Sequence, residues 1–201
     1  MNKWHDGSMA DIEEQPKVRE IDSVEGLRAL ADPVRLAILS ALDTRTPDGG
    51  LAVMSVKELA KHLGAPQTKL YRHVKQLEAA GLIEVAATRL VSGILEQRYR
   101  ARQRDLRLSA ALIRHHADES EAAIRSAFDA FLAGYFDGVR KGGWPEDGQD
   151  KPVMLVMEER VSLAAAERIR ARLLDLTREI HQAEAGDVQV DVALGCYRPR
   201  T

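Results

Sequence analysis

Gln67, Thr68, Lys69, Tyr71 and Arg72 fall on the outward side of the first two turns of an expected helix. Their chemistry suits the edges of nucleic-acid bases. The Gln67 amide can pair with adenine through two hydrogen bonds, and Arg72 or Lys69 can pair with guanine. Tyr71 can pack on a thymine methyl or bond a phosphate. Lys75 continues the cationic side one turn later. Upstream, Lys57 and Lys61 are one helical turn apart, a spacing that suits phosphate oxygens. Downstream, Arg89, Arg98 and Arg100 lie in β-rich sequence and suit phosphate or minor-groove contact. The competing account is plain: charged residues occupy solvated helix faces by default, and the arginines can pair across strands with Glu84 or Glu96. His73 falls on the inner side of the same helix and reads as a core histidine with a satisfied hydrogen bond.

Charge distribution favours the nucleic-acid account. The 201-residue chain has a net charge of −2, yet residues 56–104 hold ten Lys/Arg against four Asp/Glu, a net of +6. The segments on either side, 1–55 and 105–201, are each −4. One basic segment between two acidic ones is the pattern of a localised phosphate-binding face. The single cysteine, Cys196, cannot close an internal disulfide and suits a reducing compartment. No apolar run has the length of a membrane span, and the first twenty residues lack a signal-peptide core, so a cytoplasmic location is expected.

The elements that must hold these residues follow from local signals. Residues 1–21 are polar and aperiodic and are expected to be a disordered tail. A first helix should start near Ser23, with Asp22 as its cap and Glu25 as the reciprocal partner. Asp32-Pro33 opens a second helix with Val34, Ile38, Leu39 and Leu42 on its apolar side. Ser55 and Glu58 form a Ser-x-x-Glu capping box, and Gly64 ends that third helix. The helix from Gln67 to Ala80 should bury Leu70, Val74 and Leu77, with Gly81 as its stop. Leu82–Val91 and Ile94–Ala101 then read as strands joined by a two-residue turn at Ser92-Gly93. The last three of these helices and the hairpin make a winged helix-turn-helix, in a domain over residues 22–104.

Leu27–Leu39, Leu63-Gly64, Leu70–Leu77, Glu78–Glu84 and the Gly93–Tyr99 wing strand closely resemble the ArsR-type winged-helix repressors. The resemblance covers residues 22–104. It implies a homodimer that binds double-stranded DNA at an inverted-repeat operator and is usually released by a signal. Two departures matter. Pro66 stands where such regulators often place Ser or Thr, so the recognition helix has no capping oxygen. The helix Val56–Leu63 has no cysteine, so the soft-metal thiolate site common in the family is absent.

Residues 105–201 are expected to form a helix–strand–helix–strand domain for dimerisation and possible effector binding, giving an α+β chain overall. Its helices are read at Glu119–Val139 and from Leu163 to about Ala185, its strands at Pro152–Val161 and Val188–Leu194. This order resembles the C-terminal extension of longer members of the group. Five of the nine aromatic residues, Phe128, Phe131, Tyr135, Phe136 and Trp144, lie within seventeen positions. With Leu132 they line a core, a dimer interface, or a pocket against Val153, Leu155 and Met157 for a small hydrophobic ligand. His115-His116 with Asp118 and Glu119, and His181 with Asp187, are the only hard-ligand groupings; adjacent helical residues diverge, so no metal or other cofactor is expected. A metal-responsive repressor with such a His/carboxylate site is one alternative, and a winged-helix protein–protein module that never touches DNA is another. There is no Gly-rich phosphate loop, nucleophile elbow or metal-ligand spacing, which points away from an enzyme.

Overall fold

The computed structural model describes residues 18–44, 46, 50–91, 93–103, 105–141, 159–183, 190 and 192. They fall into two units, one ending at Ala130 and the other starting at Phe131. The architecture is α+β.

The first unit opens with β1 (Val18–Ile21), α1 (Val24–Leu30) and α2 (Pro33–Asp43). Ser23, not Asp22, caps α1, accepting the Gly26 amide at 3.2 Å. Gly26 therefore holds the capping-box position, and Glu25 cannot serve as partner. Its lack of a side chain has a packing reason as well, because a Cβ there would stand 2.7 Å from Ile21 Cγ2. Asp32 caps α2 as its sequence predicts, its Oδ1 accepting the Val34 and Arg35 amides at 3.0 Å each. Arg35 then ties three helices together. Its Nε donates to the Ala29 carbonyl at 2.7 Å and its Nη1 to Gln76 Oε1 at 2.9 Å.

The helix-turn-helix follows: β2 (Met54–Ser55), α3 (Val56–Leu63) and α4 (Gln67–Ala79). The capping box is complete, with Ser55 Oγ accepting the Glu58 amide and the Glu58 carboxylate accepting the Ser55 amide at 2.7 Å. Gly64 and Gly81 leave their helices in the left-handed region, at φ 61° and 66°, which favours glycine. The α2 and α4 stripes meet in one core. Ile38, Leu42, Leu59, Leu70 and Leu77 are fully buried there, joined by Leu27 of α1 and Leu82.

The wing is β3 (Ile83–Val91) and β4 (Ile94–Ala101), antiparallel, with a bulge between Val85 and Ala87. β4 lies in the centre of a three-stranded sheet with β2 and β3 at its sides. Ser92 of the expected turn lies outside the described residues; Gly93 has φ 81°.

The chain then leaves the wing as β5 (Asp105–Leu108), α5 (Ala110–His115) and α6 (Ala117–Lys141). β1 pairs in parallel with β5, from Val18 opposite Asp105 to Ile21 opposite Leu108. The last four residues of the expected tail are thus a strand. Ile21 explains this, being buried at 3% exposure in the common core. Leu112 and Ala123 join that core too, so the first unit continues past residue 104.

The second unit, described by itself, comprises the end of α6 and α7 (Leu163–Gln182). Ser162 caps α7 through the Ala165 amide at 3.2 Å, and α7 has no buried residue. The strand expected over 152–161 lies outside the described residues as far as 158, and 159–161 are not in a strand. That expected over 188–194 lies outside them apart from Val190 and Val192, which are exposed, and Cys196 lies outside as well.

Candidate nucleic-acid interface

Burial of Leu70, Val74 and Leu77 fixes the rotation of α4, and the opposite side faces solvent. Thr68, Lys69, Tyr71, Arg72 and Lys75 are exposed on it. Gln67 is half-buried, and its Nε2 donates to the Tyr71 hydroxyl at 2.8 Å. Pro66 gives α4 no side-chain cap, and in the first turn the Lys69 amide donates to the Pro66 carbonyl at 3.0 Å. Lys57 and Lys61 are both exposed on α3.

The basic residues of the segment divide into two sets. In one set the cations are engaged within the chain. Arg98, at the second position of the β2–β4 ladder, donates to both carboxylate oxygens of Glu58 at 3.3 Å and to the Val53 carbonyl. Partial burial raises the Glu58 carboxyl, but the Ser55 amide and the Arg98 guanidinium outweigh it and hold the group below its ordinary value. Arg100 and Arg102 share Glu84, at 2.6 and 3.2 Å. Arg89 sits 3.5 Å from Glu96 across the hairpin. Lys75 donates to Glu78 at 2.7 Å, a contact that raises its pKa, and lies 5.9 Å above the Tyr99 ring. Arg98 thus reaches α3 rather than Glu84 or Glu96, a pairing that strand periodicity does not reveal.

In the other set are Lys57, Lys61, Lys69 and Arg72. Among the described residues these four have no acidic partner within 4 Å, and all four lie on the two helices of the helix-turn-helix. On α4, Gln67, Thr68 and Tyr71 add hydrogen-bonding groups beside Lys69 and Arg72.

His73 differs from its expectation. It lies on the inner side with its side chain 15% exposed, but Nδ1 is buried without a hydrogen-bond partner, 3.5 Å from Asp32 Oδ1. The Asp32 carboxylate is already committed to two amides of α2, which leaves the imidazole at a longer, purely electrostatic distance.

The aromatic stripe is less enclosed. Phe128 and Phe136 are about half exposed, Leu132 is exposed, and Phe131 and Tyr135 are half-buried. The Tyr135 and Phe136 rings meet edge to face at 5.5 Å. Trp144, Val153, Leu155 and Met157 lie outside the described residues. No three His, Cys, Asp or Glu side chains converge as metal ligands among the described residues, and no helix there is long and apolar enough to cross a membrane.

A family model described as a helix-turn-helix domain matches residues 30–86, from the end of α1 into β3. No curated protein matches the chain. With a buried stripe behind α4 and uncommitted cations in front of it, residues 30–86 form a helix-turn-helix domain of the DNA-binding, regulatory kind.

Proposed function

We propose that this chain is an ArsR-type, sequence-specific transcriptional repressor that binds an inverted-repeat operator as a homodimer and blocks the promoter. The observation that carries the reading is the division of charge. Lys57, Lys61, Lys69 and Arg72 have no acidic partner among the described residues and lie on the face that a helix-turn-helix presents to a duplex. Lys57 and Lys61 grip phosphates; Gln67, Thr68, Lys69, Tyr71 and Arg72 read the major groove. Lys75, Arg89 and Arg98 are further contacts on α4 and the wing, each also paired within the chain: Lys75 with Glu78, Arg89 with Glu96 across the hairpin, and Arg98 with Glu58 of α3.

The domain boundaries of the reading are 22–104 for DNA and 105–201 for dimerisation and sensing. Exposed apolar side chains on α6 and α7 support pairing of two copies, and the aromatics from Phe128 to Trp144 support a small hydrophobic effector. Selection of bound DNA from a random pool tests the proposal. The expected product is a two-fold symmetric site with half-sites about one helical turn apart. Affinity for it should fall steeply as salt rises. No enriched sequence, or binding indifferent to salt, sinks the DNA reading. Unchanged affinity across a panel of hydrophobic metabolites removes the effector alone.

A further inference from the structure

The wing ends in Leu90-Val-Ser-Gly-Ile-Leu95, a run with no charged residue. Leu90 and Leu95 stand directly opposite each other across the ladder. At 70% and 62% they are the most exposed large apolar side chains among the described residues. The pair just inside them, Arg89 and Glu96, lies 3.5 Å apart and cancels in charge. A tip built to hold phosphates would carry cations; this one carries grease.

Its position follows from two contacts. The wing starts immediately beyond the C-terminal end of α4, where the Leu82 carbonyl accepts the Arg102 amide at 3.2 Å. Further along, Lys75 of α4 lies 3.5 Å from Gln97 Oε1 in β4. Hairpin and helix therefore run side by side away from Gly81. From Thr88, the partner of Gln97, two residues carry β3 to Leu90, about 7 Å further at roughly 3.3 Å each. From Lys75 back to Tyr71, α4 rises about 6 Å, at roughly 1.5 Å per residue. The apolar tip thus stands level with the base-reading turn.

We propose that Leu90 and Leu95 enter the minor groove of the bound duplex as an apolar wedge and bend it. This rests on the DNA-binding reading above. A minor groove is about 6 Å wide, narrower than a two-stranded ribbon with its side chains, so entry has to open the groove. Leucine between base steps unstacks them and kinks the duplex towards the major groove.

The test uses the full chain and the selected duplex with a fluorescent donor and acceptor at its ends. Binding of the unsubstituted protein should raise energy transfer, the mark of a bend. A Leu90→Ser/Leu95→Ser variant should keep its melting temperature, both positions being exposed. It should bind about tenfold or more weakly, lose the bend and keep the same salt dependence, since no charge has gone. Leu90→Arg should steepen the salt dependence and bend less. Unchanged bend and affinity in either variant overturns the wedge. So does a loss of dimer in sedimentation with the bend retained, which would mean that the tips pair two copies. Failure of the unsubstituted chain to select any duplex overturns the DNA reading, and the wedge with it.

Discussion

Helices α4 and α7 have apolar stripes of the same kind and opposite fates. On α4, Leu70, Val74 and Leu77 are no more than 1% exposed, covered by α2, α3 and the wing. On α7, Ile169 and Leu176 are 43% and 42% exposed, with Leu173 and Ile180 only half-buried. Amphipathic spacing states that a helix has a dry side; it does not say which chain keeps it dry. Where the cover lies nearby in sequence, one chain closes the core. Where it does not, a second copy is the simplest cover, which is why dimerisation in the proposed function is assigned to the C-terminal part.

The sharpest way to break this comparison is to truncate one residue from each stripe. Leu70→Ala should cost about 2–5 kcal/mol in denaturant unfolding, the range for a cavity in a closed core. Ile169→Ala should cost almost nothing at protein concentrations too low for association, and should lower stability only as the concentration rises. An equal loss for both in dilute solution would show that the two stripes are covered in the same way. A smaller effect is expected at the start of α3, where Ser55→Ala removes one arm of the capping box and should cost about 1 kcal/mol. The smallest concerns Glu58. Its carboxyl is held below the ordinary value of 4.5, so its contribution is present above that pH and disappears as pH falls through the depressed folded value. Glu58→Gln should therefore be less stable than the parent at neutral pH and equal to it in strong acid. A gap that widens on acidification would reverse the sign and remove the Arg98–Glu58 link from the account.

Much of the DNA-facing unit can be read directly from its residues. Asp32-Pro33, Ser55 with Glu58, Gly64 and Gly81 act on the backbone within four positions of themselves, so their outcome does not depend on the rest of the molecule. The strands of the wing follow from β-rich runs around a turn. The pairings are another matter. Arg98 with Glu58 and Arg35 with Gln76 span forty positions or more, and no local pattern selects them. β1 and β5 escaped notice because four-residue strands contain too few side chains for alternation to appear, and α5 buries only Leu112. Among the proposed contact residues, exposure of Lys69, Tyr71 and Arg72 follows from helix period alone. That Lys75 is turned towards the wing depends on where the hairpin packs.

Arg19 gives the first unit a mechanical property. Its guanidinium donates to the carbonyls of Ala80, at 3.3 Å, and Gly81, just past the end of α4, while its strand lies along β5. β1 and the strand by which the chain leaves the wing are therefore neighbours, one strand spacing apart. A pull on the chain beyond Leu108 is transmitted to β1 across four residues of parallel ladder, and through Arg19 to the C-terminal end of α4. The Ser109 amide, bonded to the Ile21 carbonyl at 3.0 Å, is the last link in that tether.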